Sequence, residues 1–337
     1  MKVDYYFPPG PPDAAVGQAA RAARLGFDGF FTAETGHDPF LPLAFAGREA
    51  PTLDLGTSIA VAFARSPMVL AHTSWDLAAL SGGKFLLGLG TQVRGHITRR
   101  FSMPWDSPGP RLAEYIRALR AIWDTWQTGA PLRFQGDFYS FTLMTPFFSP
   151  GPIAHPEVPV YIAGVGPYLS RLAGELCQGF HVHPFHTVRY LDEVVLPQMG
   201  KGAESAGRSL DDVERAATVF VVAGRHQEEL EAARRAVKQQ VAFYASTPAY
   251  RGVLDLHGWD FGERLTAMSK RGEWQAMADL IPDEVVAEVA VAAPLDELGT
   301  ALRARYGERL ARVGFYNLAE GALDDDGWAS LVAATQG

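Results

Sequence analysis

The chain has little of several things. Among 337 residues there is one cysteine, Cys177, so no disulfide can form within it. No run approaches the ~18 uninterrupted apolar residues that a membrane span requires, and the opening Met1-Lys2-Val3-Asp4-Tyr5-Tyr6-Phe7 reads as a strand, not a signal peptide. A soluble, cytoplasmic protein is expected. Positive charge is in short supply: 30 Lys and Arg against 38 Asp and Glu leave a formal charge of −8, which argues against nucleic-acid or anionic-membrane partners and for a small molecule. There is no G-x-S-x-G elbow, so a serine hydrolase is excluded. No charge run or low-complexity linker marks a domain boundary.

What is present is a rhythm. Short apolar runs alternate with amphipathic helical segments, and the runs near Val3–Phe7, Phe27–Thr32, Leu53–Ala62, Lys84–Gly90, Val160–Ala163, Gly179–Val182, Ala216–Ala223 and Leu310–Phe315 predict eight strands. Lys84-Phe85-Leu86-Leu87-Gly88-Leu89-Gly90 is almost wholly apolar, as a parallel strand covered on both faces should be. Eight strand–helix units predict an α/β fold, a (β/α)8 TIM barrel in one domain over residues 1–337, with insertions after strands four and seven at about 130–157 and 246–281. An open sheet with two domains is the alternative. Asp13 is expected to cap the first helix, and Cys177 to be a buried small hydrophobe.

In a barrel the chemistry sits in the loops that follow the strands. These carry Glu34, Thr35, His37 and Asp38; Ser58 to Arg65; Thr91, Gln92, Arg94, His96, Arg99 and Arg100; Gly164 to Gly166; and His181, His183 and His186. Glu34 and Asp38 share one loop, so helix capping at Pro39 competes with a carboxylate-pair role. His181-x-His183 resembles half a metal site, but the last strand, ending Gly314-Phe315-Tyr316-Asn317, offers no Asp to complete it, and no metal is expected. The turn Gly164-Val165-Gly166 joins a strand to a helix; glycines there bring backbone close to a ligand, and the first N–H groups of the helix suit a phosphate. It matches only the first half of a dinucleotide fingerprint.

Four motifs in order, GFDGFFTAE, LGTSIAVAFARSP, GGKFLLGLGTQ and PVYIAGVGP with LAGELCQGFHVHPF, resemble the luciferase-like monooxygenase superfamily and, within it, the oxidoreductases that bind the deazaflavin coenzyme F420. The resemblance implies a TIM barrel, a cofactor across its C-terminal face and commonly a homodimer. Carried over by position, it implies a cis peptide at Ser58-Ile59 behind the cofactor ring with Ala60 beside it, and ribityl and ring-edge contacts at Thr91 and Gln92. It also implies a phosphate at Ala163-Gly164-Val165-Gly166, with His96 and His181 as further cofactor contacts. Some relatives carry an Asp-His pair after strand two; here Glu34 takes the acidic place and His37 comes three residues later, so His37, Glu34 and His183 are the catalytic candidates. Val61, Ala62 and Phe63 are expected to wall the ring, Arg94, Arg99 and Arg100 to meet an anionic tail, and aromatics at Phe101 to Trp105 and Trp259 to Trp274 to roof an apolar or ring-bearing substrate. A flavin mononucleotide monooxygenase on the same fold, and a cofactor-binding protein without turnover, are the alternatives.

Overall fold

The computed structural model describes residues 1–318 and 321–337. The expected apolar runs become strands β1 (Lys2–Tyr6), β2 (Gly29–Thr32), β3 (Asp54–Thr57), β4 (Phe85–Gly90), β5 (Val160–Gly164), β6 (Gly179–Val182), β7 (Glu214–Val222) and β8 (Arg312–Tyr316). Each pairs in parallel with the next, and β8 returns to β1 through Lys2↔Arg312 and Val3↔Val313, which closes the (β/α)8 barrel.

Several boundaries differ from the sequence reading, each for a local reason. The third strand does not run unbroken to Ala62. It stops at Thr57, passes through a cis peptide at Ser58–Ile59, and resumes at Ala60–Val61 against Leu89–Gly90. Asp13 stands at the start of the helix Ala14–Arg24 without a side-chain capping bond. The stretch Gln92 to Pro110 contains a short helix, Arg94–Arg99, and the second insertion is helical at Arg251–His257, Gly262–Arg271 and Trp274–Met277. After it, Ala290–Ala292 adds a strand beside the end of β7 that the sequence reading missed. In the first insertion, Phe134–Gln135 pairs with Ser140–Phe141, and the Glu114 carboxylate accepts the N–H groups of Asp137, Phe138 and Tyr139 at 2.7–2.8 Å. The last helix begins at Asp325, before Trp328, because the Asp324 carboxylate accepts from Gly327 N–H at 2.9 Å.

Strand alternation stacks the barrel interior in layers. At the N-terminal end Arg312 is buried and donates to both oxygens of Asp4 (2.8 and 2.6 Å) and to Asp54 (2.7 Å). A buried guanidinium is stable only with such partners. Burial pushes the Asp4 carboxyl up to about 6 despite Arg312, and the carboxylates hold the Arg312 charge firmly, so the pair is ionised at neutral pH. Above lie Tyr6, Phe31, Leu86, Tyr161 and Ala216, packed together, with His181 edge-on to Phe31. Two residues further along their strands come Ser58, Ala163, His183, Thr218 and Tyr316, all part-exposed. The barrel is therefore filled below and open at its C-terminal mouth. No helix is long and apolar enough to cross a membrane among the described residues.

Candidate active site

The mouth is shaped first by small residues. A side chain on Gly88 would strike the Thr57 carbonyl, so only glycine lets β4 pass β3 there, and the floor stays low. Ile59, half-buried just after the cis peptide, is the apolar residue left at the opening. Val61, Ala62 and Phe63, expected as the wall, are buried in the core, with Phe63 covered by Trp105 and Arg111, whereas Ile59 is part-exposed.

The loop after β2 is fastened from outside. Glu34 is buried; its Oε2 accepts from Val61 N–H and Arg65 Nη1, both at 2.7 Å, and its Oε1 accepts from Arg65 Nη2 at 3.0 Å. Glu34 N–H donates to the Ile59 carbonyl at 3.0 Å. Both carboxylate oxygens are thus spent on holding the segment that carries Ile59, Ala60 and Val61. Glu34 is a positioning residue here. Asp38 is the cap: it accepts from Phe40 and Leu41 N–H at 2.8 and 3.1 Å, and Arg65 Nη2 reaches it at 3.3 Å. Arg100 donates to the Thr35 carbonyl, which ties the same loop to the one after β4. His37 is exposed between these fastenings.

After β4, Gln92 sits at φ 59°, and its side-chain oxygen accepts from Val93 N–H at 2.9 Å, so it serves the helix Arg94–Arg99 locally. Thr91 is half-buried beside it, and His96 is exposed on that helix. Of the three arginines, Arg100 is committed to Thr35 and Arg99 lies against Gly95, while Arg94 is exposed. At the end of β5, Ala163 to Gly166 lead into the helix Pro167–Leu176, which no side chain caps; a Cβ on Gly166 would meet open space. Because this ten-residue helix begins with a proline, the N–H groups at its start are those of Tyr168 and Leu169.

The three histidines of β6 and its loop part company. His181 lies one layer below the mouth, against Phe31 and Tyr161, with both ring nitrogens buried and unpartnered among the described residues. The structure thus places the His181 ring in the barrel filling, one layer below the residues at the mouth. Burial, with Arg312 adding to it, pulls His181 down to about 3. His186 also points away, held by Nδ1 to the His183 carbonyl at 2.8 Å and packed on Tyr306. His183 alone is half-exposed at the mouth. Its Nδ1 accepts from Phe185 N–H at 3.1 Å, which fixes the neutral tautomer with the proton on Nε2, and burial holds its pKa near 3. At neutral pH it is a hydrogen-bond donor, not an imidazolium acid.

Sequence reading overlooked the partners of His183. Tyr250 stacks on its ring at 4.5 Å and Tyr244 meets it edge-on at 4.5 Å; Tyr244 comes from the helix Gln227–Ala245 after β7 and Tyr250 from the insertion that follows it. Tyr316, at the end of β8, is joined to Tyr244 by an Oη···Oη hydrogen bond of 2.9 Å. The alternation Arg312, Gly314, Tyr316 was legible as an inward face. No group of three or more His, Cys, Asp or Glu stands ready to hold a metal among the described residues. Cys177 is fully buried, and burial pushes its thiol up to about 12.

Comparison with known proteins decides the family. The profile described as luciferase-like monooxygenase matches residues 3–312. The chain belongs to this family. An uncharacterized protein of Mycobacterium tuberculosis is 48% identical over 296 residues, covering 86% of this chain and 87% of its own. An F420-dependent glucose-6-phosphate dehydrogenase of Intrasporangium calvum is 30% identical over 220 residues, 60% of this chain and 64% of its own. Among solved structures, the coenzyme F420-dependent tetrahydromethanopterin reductase of Methanopyrus kandleri superposes with a TM-score of 0.78 at 20% identity, covering 98% of this chain and 96% of that one. It shares the luciferase-like barrel.

Proposed function

We propose that this protein is an oxidoreductase that transfers hydride between the deazaflavin coenzyme F420 and an organic substrate. The observation that carries the reading is the pairing of an open, low-floored mouth with an uncapped helix N-terminus on its rim at Gly166. A planar ring with an anionic tail needs that combination. The names of the relatives above support the choice of deazaflavin. The residues that would hold it are Ile59 and Ala60 behind the ring, Thr91 at its edge and the N–H groups of Tyr168 and Leu169, past Pro167, at the tail, with exposed Arg94 and His96 on the same rim.

Bound there, the coenzyme supplies the hydride donor or acceptor. The chain supplies the rest. Glu34 and Arg65 keep the Ile59 segment rigid against β2, and Ile59 shields one side from water. His183 offers a neutral Nε2–H to the substrate side. His37 is the remaining candidate for proton transfer, on a loop pinned by Arg65 and Arg100; a His37→Ala variant that kept full turnover would end that assignment. We also propose a homodimer, supported by the exposed apolar residues Leu41 and Phe45 on the helix Leu41–Glu49 and Val69 and Leu80 on the helix Pro67–Leu80; light scattering in solution tests it.

The deciding experiment titrates the protein with F420 and with flavin mononucleotide, side by side, following cofactor fluorescence. Deazaflavin binding, weakened at least tenfold in Gly166→Ala without loss of thermal stability, is expected, because that backbone (φ −92°) accepts alanine while its Cβ would intrude on the tail. Preference for flavin mononucleotide with oxygen consumption would move the reading to a monooxygenase, and uptake of neither would refute it.

A further inference from the structure

The substrate side of the mouth has a chemistry of its own. Tyr244, from the helix Gln227–Ala245, and Tyr250, from the turn after it, close on His183 so that the three rings form one packed group, with Tyr244 and Tyr250 5.8 Å apart. Phe220, on β7 between β6 and β8, continues the wall and meets Tyr316 edge-on at 4.9 Å. None of these side chains carries a charge at neutral pH. Arg251, next in sequence to Tyr250, is turned onto the Thr266 hydroxyl at 3.0 Å. Among the described residues named in this wall, none is a cation that could meet a phosphate or carboxylate.

The polar atoms of the wall can be counted. Tyr244 and Tyr316 own one O–H each, and their mutual bond of 2.9 Å uses one of them. With Tyr244 donating to Tyr316, the Tyr316 O–H is left over. His183 has a second spare donor, since Nδ1 is taken by Phe185 N–H and Nε2 carries its proton without a partner among the described residues. Unlike the nitrogens of His181 and Nε2 of His186, that Nε2 is not sealed in the interior. Both spare donors belong to residues in contact with Tyr244, on strands separated only by β7.

We infer that Tyr316 and His183, yoked by Tyr244, form a neutral two-donor cradle for the oxygen of an uncharged, ring-bearing ketone or alcohol, and that this wall does not accept phosphorylated substrates. An aromatic wall contributes apolar and stacking contact to a ring. Two neutral donors suit a carbonyl or hydroxyl oxygen, whereas a phosphate dianion entering without a countercharge would leave its own charge desolvated. The inference rests on the deazaflavin reading above and names the substrate class that goes with it. It also separates this chain from its relative named for glucose 6-phosphate.

The test uses the deazaflavin-loaded protein, α-tetralone as the neutral ring-bearing ketone, and saturation-transfer NMR to follow ketone binding. Wild type should bind α-tetralone, and glucose 6-phosphate should not displace it. Tyr316→Phe should raise the Kd for the ketone about five- to tenfold, the worth of one neutral hydrogen bond, with the deazaflavin Kd unchanged and the melting temperature lowered only by the loss of the Tyr244–Tyr316 bond. Tyr244→Phe should raise it about two- to threefold, since Tyr316 then loses its orienting partner while keeping its own hydroxyl. A wild-type Kd in Tyr316→Phe, competition by glucose 6-phosphate, or no ketone binding to cofactor-loaded wild type would each overturn the inference while leaving the deazaflavin reading intact. Failure of wild type to take up deazaflavin, read separately in the coenzyme fluorescence, would overturn both.

Discussion

Replacing His181 with Gln should make the protein less sensitive to acid. The imidazole lies in the barrel filling with both nitrogens buried and unpartnered among the described residues, and burial holds its pKa near 3, against about 6.5 in an unfolded chain. As pH falls through 6.5 the unfolded chain takes up a proton at this site and the native protein does not, so stability is lost progressively down to about pH 3. At pH 5 the loss from this one residue is 2.303RT times 1.5 units, about 2 kcal/mol. Gln keeps a polar amide of similar size but cannot titrate. Its packing cost is common to both pH values and cancels when the change from pH 7.5 to pH 5 is compared between variant and wild type. His183 and His186, depressed to about 3 and 4, add losses of the same sign, whereas Asp4, raised to about 6, opposes them because the native state takes up its proton first. All three remain in the variant and also cancel. Urea titration at the two pH values reads the difference, expected at about 0.7 M in midpoint for a slope near 3 kcal/mol per M. Equal losses in wild type and variant would refute the placement of His181 as a sealed, neutral ring.

Arg65→Ala should cost about 3 kcal/mol or more, since it leaves the buried Glu34 carboxylate with only Val61 N–H; calorimetric melting reads the loss, and the coenzyme titration should weaken with it because the Ile59 segment loses its anchor. Glu34→Gln in the Arg65→Ala background should recover part of the melting temperature, as the stranded charge is removed. Cys177, buried and raised to about 12, should resist iodoacetamide at pH 8 in the native protein and react after denaturation; native labelling would contradict its burial.

The sequence by itself determined the repeat of strand and helix, the closed parallel barrel and the end of it where chemistry would gather. Those depend on local features: apolar runs such as Phe85 to Gly90, breakers such as Gly26 and Gly82-Gly83, and a strand period that fixes which side chains point inward. It also marked the Ala163–Gly166 turn, because a glycine pair between strand and helix is a local signature. Tertiary structure decided what each polar residue does. Glu34 and Asp38 are four residues apart in one loop, yet Asp38 caps a helix while Glu34 is claimed by Arg65, thirty-one residues further along the chain. His181 and His183 share an inward face, but the first lies beneath the floor and the second stands in the opening, because two residues along a strand amount to one layer of the barrel. Tyr244, Tyr250 and Tyr316 come together only once the insertion after β7 folds back over β6 and β8. Contacts between residues more than sixty positions apart leave no periodic trace in the chain, so the walls of the site emerge only with the closed barrel.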